Sequence, residues 1–336
     1  MKPAEHTDED AVVHVSGLKK YFQVAERDPG LWGAVKGLFK RRYRTVKALD
    51  GISFSLQPGE LLGFIGPNGA GKSTTIKILS SIMQADGGTC RVLGAVPWQN
   101  RKRNVARIGV VFGQRTQLWW DLPVIESYEL LRDIYAIPHK QYARILEELT
   151  ALLNLEGVLH TPVRQLSLGQ RMMCDIAASL LHGPELLFLD EPTIGLDAVA
   201  KLAVRDFISR LNRDKGVTII LTTHNLDDIE SLCRRILLIH QGRILYDGTL
   251  TGLRARVPGK RRLTIDLVDD RDIIDMPHAT ITGQEGHRVF LSFDPAHISA
   301  KELIDHILQA HEVRDLFLEN PPIETLIARI YRDQQP

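Results

Sequence analysis

Cysteine is scarce in this chain. Cys90, Cys174 and Cys233 are the three in 336 residues, far apart and without CxxC spacing. That pattern suggests neither a disulfide framework nor a zinc site, and reads all three as small core residues in a reducing compartment. Long hydrophobic runs are lacking too: no stretch approaches the roughly 18 apolar residues that a membrane-spanning helix needs. The start MKPAEHTDED is acidic where a secretory signal is basic and then apolar, so the expectation is a cytoplasmic chain that does not cross a bilayer. Neither charge is in excess, with 42 Lys+Arg against 41 Asp+Glu. A dedicated nucleic-acid binder, which gains affinity from counterion release by a basic surface, is therefore not expected. No repeat or low-complexity tract appears. The 44% hydrophobic and 25% charged residues are the balance of an ordinary globular protein, of a length that suits about two domains.

What is present is an alternation. Through about residue 248, short β-rich runs (52–56, 61–65, 108–112, 186–189 and 217–222) alternate with longer helical patterns, which predicts an α/β fold with a mostly parallel sheet. ILLIHQGRILYDG reads as a hairpin turning at Gln241-Gly242. Beyond it the pattern becomes strand 263–267, strand 289–293, helix 299–310, strand 313–318 and helix 323–331, a small α+β appendage. The expected division is 1–250 and 251–336. Residues 23–46 read as an insert, basic and broken by Gly30, Gly33 and Gly37. A helix over 31–43 would place Leu31, Trp32, Val35, Leu38, Phe39 and Tyr43 near one face, suiting an anionic membrane surface, a partner, or its own domain. Arg101-Lys102-Arg103 and Lys260-Arg261-Arg262 read as solvated faces.

Gly66-Pro67-Asn68-Gly69-Ala70-Gly71-Lys72-Ser73 satisfies GxxxxGK[ST] between the apolar run LLGFI and the helical pattern TTIKILSSI, beginning at Thr74. That context is what a phosphate-binding loop requires. Glycines let the backbone wrap phosphate oxygens, the helix N-terminus adds positive potential, Lys72 reaches the β- and γ-phosphates, and Ser73 can ligate Mg²⁺. A second run, Leu186-Leu187-Phe188-Leu189-Asp190-Glu191, ends in two carboxylates. Asp190 is placed to hold Mg²⁺ or its water and Glu191 to polarise an attacking water; beside a phosphate loop, the pair completes a nucleotide site.

Between these motifs lies Leu166-Ser167-Leu168-Gly169-Gln170, which resembles the LSGGQ signature of ATP-binding-cassette (ABC) ATPases, departing from it at Leu168. Gln114 after IGVVF, Gly195-Leu196-Asp197 beyond Glu191, and His224 after VTIILTT continue the family's motif order, and the resemblance covers residues 12–248. It implies a cassette with an antiparallel β edge and a helical signature subdomain over about 117–180. It also implies two cassettes packed head to tail, so that Ser167, Gly169 and Gln170 of one copy face the γ-phosphate held by the other. Gln114 then touches Mg²⁺ or the lytic water, His224 holds the γ-phosphate and orients Glu191, and Asp197 couples the sites. The family stacks adenine on an aromatic near the first strand. Tyr21 fits, with Phe22 and Tyr43 as alternatives because the insert lengthens its separation from Gly66. Gln117-Leu118-Trp119-Trp120-Asp121-Leu122-Pro123 corresponds to the surface that receives a permease.

Together with the tail LENPPIETLIARIY, this looks most like cassettes of exporters. The expected function is thus an ATP-hydrolysing subunit at the cytoplasmic face of a membrane, working with a separate permease and a second cassette, expected to be another copy of this chain, and using ATP and Mg²⁺. The alternative is a soluble cassette of the iron–sulfur assembly type. A chromosome-maintenance ATPase is excluded, because the stretch between Ser73 and Gln165 has no room for a long coiled coil.

Overall fold

The run Leu61–Ile65 is buried along its whole length, the pattern of a central strand covered on both faces and not of one with a wet side. The computed structural model describes residues 11–26, 42–113, 115–256, 260–268, 278–320 and 323–333. In chain order the first nine strands are β1 (Val13–Glu26), β2 (Arg42–Leu56), β3 (Leu61–Ile65), β4 (Gly87–Val92), β5 (Ile108–Phe112), β6 (Leu186–Asp190), β7 (Thr218–Thr223), β8 (Arg235–His240) and β9 (Arg243–Thr249). A six-stranded sheet has the order β5-β6-β7-β3-β8-β9. Its β5–β6, β6–β7, β7–β3 and β3–β8 pairs are parallel. The two-residue turn Gln241-Gly242, both with positive φ, joins β8 to β9 as the hairpin expected from sequence. A separate antiparallel sheet, β2-β1-β4, packs its apolar face (Val13, Val15, Leu18, Ile52, Phe54) into the same core as Phe64, Ile76 and Phe188. Helices Val124–Ile134, His139–Leu153 and Leu168–Leu180 form the helical part. There the buried Tyr128 hydroxyl donates to the Cys174 carbonyl at 2.9 Å. All three cysteines are buried and free. Among the described residues no helix is long and apolar enough to cross a membrane.

The insert reading needs correction. Residues 23–26 and 42–46 continue β1 and β2 as one antiparallel ribbon, paired out to Glu26 opposite Arg42, and Tyr43 lies in a strand opposite Ala25. The run Tyr43-Arg44-Thr45-Val46 is rich in aromatic and β-branched residues and finds a partner strand, so it follows β propensity and not the helical period. Residues 27–41, with the rest of the expected helix, lie outside the described residues.

The chain divides into units 1–248 and 249–336. The second unit opens with helix Leu250–Arg256. It then builds β10 (Arg261–Leu267), β11 (Ala279–Glu285), β12 (Arg288–Phe293) and β13 (Val313–Glu319) into an antiparallel sheet ordered β11-β12-β10-β13. Helix Ala300–Ala310, started by a Ser299/Glu302 capping box, buries Leu303 and Ile307 against Leu263, Ile265, Leu291 and Phe293. Helix Ile323–Asp333 ends the described chain. Helix 250–256 and β11 were not foreseen. The strand ATITGQE carries glycine and polar residues and, among the described residues, pairs on one side only, with β12.

Candidate active site

The phosphate loop is built as its sequence requires, between β3 and helix Lys72–Leu79. Gly71 caps that helix with φ 114°, and a Cβ there would lie 2.7 Å from the Ala48 carbonyl oxygen of β2. Only glycine meets both demands. The helix has no side-chain cap and no acid in its first turn, so its first N–H groups, which lack intrahelical partners, are available to an anion. The Gly242 N–H of the β8–β9 turn donates to the Ala70 carbonyl at 2.9 Å and braces the loop from behind. Gly66 and Ala70 are buried, Pro67, Asn68 and Gly69 exposed, and Ser73 and Thr74 half-buried. The Lys72 ammonium is buried and donates to the carbonyls of Gly66 (2.6 Å) and Pro67 (3.2 Å). Burial pushes its pKa down, opposed by the charges of Glu191 and Asp190.

At the end of β6, Asp190 Oδ1 accepts from Ser73 Oγ at 3.2 Å and from the Thr222 hydroxyl of β7. Glu191 has φ 56°, a left-handed backbone that costs a non-glycine residue of order 1 kcal/mol and marks sites where geometry is imposed. Its N–H donates to the Thr222 carbonyl at 2.9 Å, and its Oε2 lies 3.3 Å from His224 Nδ1. A cleft of about 630 Å³ is lined by Asn68, Ser73, Asp190, Glu191 and His224, with Lys77 and Arg115 adding positive charge. Four separate segments thus converge on one space. Gln114 lies outside the described residues, but Gly113 beside it lines the cleft.

Ser167, Gly169, Gln170 and Asp197 are not among the residues lining the cleft of their own chain. Ser167 and Gln170 are exposed and form a capping box at the start of helix Leu168–Leu180, with Gln170 N–H on Ser167 Oγ (3.2 Å) and Ser167 N–H on Gln170 Oε1 (2.9 Å). Asp197 caps helix Ala198–Lys215 through the Ala200 N–H at 2.8 Å. Gly169 packs on that helix, since a Cβ there would meet Ala200 Cβ at 2.8 Å. Tyr21 sits in β1 opposite Lys47, the neighbour of the Ala48 that touches the phosphate loop. Its N–H donates to Asp86 (2.7 Å) and its hydroxyl reaches Asp50 at 3.4 Å. Phe22 lies 5.7 Å from the Lys20 ammonium, and Tyr43 is exposed on the ribbon.

Sequence reasoning missed several groups that hold the site. Thr222, which fastens Asp190, was visible only as a strand residue. Asp175, buried in the helix that Ser167 begins, accepts from Thr116 Oγ1 (2.9 Å) and the Gln117 N–H (3.0 Å), tying that helix to the loop after Gln114. Burial raises the pKa of Asp175 to about 6. Asp228 gathers Thr193, Thr223 and Arg205. No local pattern marks a lone aspartate most of whose partners are distant in sequence.

Residues 49–194 match the ABC transporter family. The chain is 30% identical over 299 residues to the linearmycin resistance ATP-binding protein LnrL of Bacillus subtilis, covering 87% of this chain and 96% of that one. It is 32% identical over 287 residues to Nod factor export ATP-binding protein I of Paraburkholderia xenovorans, covering 83% and 93%. To the daunorubicin/doxorubicin resistance ATP-binding protein DrrA of Streptomyces peucetius it is 34% identical over 262 residues, covering 77% of each. A solved ATP-binding subunit of an ABC transporter superposes with TM-score 0.60 at 26% identity, over 73% of this chain and 92% of that one. With matching motifs, fold and nearly full-length relatives in agreement, the chain belongs to the ABC transporter family, as one of its ATP-binding, ATP-hydrolysing subunits.

Proposed function

We propose that this subunit drives an exporter at the cytoplasmic face of a membrane, pairing with a second cassette and a separate permease. The observation that carries the reading is the convergence of Ser73, Asp190, Glu191 and His224 from three segments around one cleft, with Lys72 next to Ser73 in the chain. The names of the relatives speak of linearmycin and daunorubicin/doxorubicin resistance and of Nod factor export, which favours outward transport.

Lys72 exchanges the carbonyls of Gly66 and Pro67 for β- and γ-phosphate oxygens, its charge offsetting their repulsion. Ser73 Oγ, Asp190 and Gln114 are hard oxygen donors suited to Mg²⁺, which when bound neutralises phosphate charge. Tyr21 presents a ring to adenine. Glu191 polarises water for attack on the γ-phosphate, and His224, within reach of its carboxylate, orients it and holds the transferred group. Ser167, Gly169 and Gln170 serve the partner's nucleotide, and their place outside this chain's cleft favours that assignment. Asp197 faces the same junction. Trp119 and Trp120, 40% and 49% exposed, offer an apolar seat to a permease helix.

Glu191→Gln tests the reading. The variant is expected to bind ATP and remain dimeric with it, while turnover falls at least a hundredfold, as measured by phosphate release and sedimentation. Undiminished phosphate release would remove Glu191 from its role.

A further inference from the structure

We propose that Asp228 is a positioning residue for hydrolysis, a single carboxylate that fixes the segments bearing Glu191 and His224 relative to each other. The proposal rests on the roles given to those two residues above. Asp228 lies in the short helix Leu226–Leu232 and its side chain is 0% exposed. A buried carboxylate is strongly disfavoured unless hydrogen-bonded and paired, and this one is fully engaged. Oδ2 accepts from the Thr193 hydroxyl and from Thr223 Oγ1 (3.1 Å), and Oδ1 accepts from Arg205 Nε at 2.5 Å.

The partners come from three segments, each tied to a site residue. Thr193 is two residues beyond Glu191, Thr223 immediately precedes His224, and Arg205 belongs to the helix capped by Asp197. The end of β7 shows how the arms are divided. Successive side chains of a strand point to opposite faces, so Thr222 donates to Asp190 while Thr223 donates to Asp228. Glu191 is thereby gripped on both sides, at its own N–H by the Thr222 carbonyl and two residues on by Asp228 through Thr193. These ties hold the left-handed backbone of Glu191 and keep its carboxylate 3.3 Å from His224 Nδ1. Because misplacement of a reacting group by about 1 Å can cost on the order of 100-fold in rate, loosening this hub lowers turnover without removing any group that touches nucleotide.

The test is steady-state ATP hydrolysis by the full chain carrying Asp228→Asn, Thr193→Val, or both, with MgATP binding and thermal unfolding measured alongside. Asp228→Asn is expected to lower kcat at least tenfold with KM and MgATP Kd within threefold. Thr193→Val is expected to lower kcat by itself but no further in the Asp228→Asn background, because both break the same tie. A merely structural aspartate would lower kcat in proportion to folded protein, and losses in the pair would multiply; either result overturns the proposal. If Asp228→Asn does not fold, Thr193→Val with Thr223→Val decides, and a kcat within twofold of the unaltered chain in both refutes it. Glu191→Gln separates the two readings. An inactive Glu191→Gln beside a fully active Asp228→Asn sinks this inference alone, whereas an active Glu191→Gln sinks the assignment of Glu191 and this inference with it.

Discussion

Gly113→Ala is a small change with a large expected consequence. Gly113 follows β5 and donates its N–H to the Asp190 carbonyl at 2.8 Å, so two peptide planes pass each other where β5 and β6 end. A Cβ on Gly113 would lie 2.0 Å from the Glu191 carbonyl oxygen, 2.8 Å from its carbon and 3.1 Å from the Asp190 oxygen. Ordinary contact begins near 3.4 Å, and the obstacles are backbone atoms, so the Glu191 peptide must retreat by more than an ångström. Overpacking of this kind costs about 1–3 kcal/mol, which for a unit of this size lowers Tm by roughly 2–10 °C. The same displacement carries the Glu191 carboxylate away from the place where it is proposed to polarise water, so kcat should fall on the order of 100-fold. ATP binding, assigned above to Lys72 and the phosphate loop, should change little. The assay is kcat and nucleotide Kd of the variant beside Gly157→Ala, whose added methyl meets nothing within 4 Å. A Gly113→Ala protein with kcat within twofold of the unaltered chain and an unchanged Tm would refute the argument.

Two other perturbations are equally specific. Asp175 is neutral in both states below about pH 4, and between pH 4 and its raised folded value of about 6 the unfolded chain ionises it while the folded chain does not. Its favourable contribution is therefore present at low pH and lost as pH rises through 6, so the stability of the unaltered chain minus that of Asp175→Asn should fall by about 2–3 kcal/mol from pH 4 to 7, read by urea unfolding; a difference that grows with pH would be the wrong sign. Tyr21→Ala should weaken ATP by about 1–3 kcal/mol through lost stacking and leave tripolyphosphate binding unchanged, while Tyr21→Phe, keeping the ring, should bind ATP normally. Equal losses for ATP and tripolyphosphate would take Tyr21 away from the base.

Some of this was legible because it is local. The phosphate loop is a contiguous device, with glycines, lysine, strand and helix all within one short stretch, and β3 and β5 begin and end where their apolar runs do. The Asp190-Glu191 pair and the Gln241-Gly242 turn were legible for the same reason. The ribbon of β1 and β2 was not, since residues 23–26 and 42–46 become strand only by finding each other across a long separation, and β11 needed β12 before its polar run had a reason to extend.

The sequence by itself determined the α/β class and supplied the motifs from which the nucleotide site is proposed, since motif spacing and hydrophobic period are properties of neighbouring residues. Tertiary structure alone decided how that chemistry is held. It turned Asp228 and Asp175 from unremarked acids into buried hubs, set Thr222 on Asp190, and left Ser167 and Gln170 outside their own chain's cleft. The physical reason is that a buried carboxylate is stable only where its donors converge, and convergence of distant segments is written in the fold and not in any short stretch of residues.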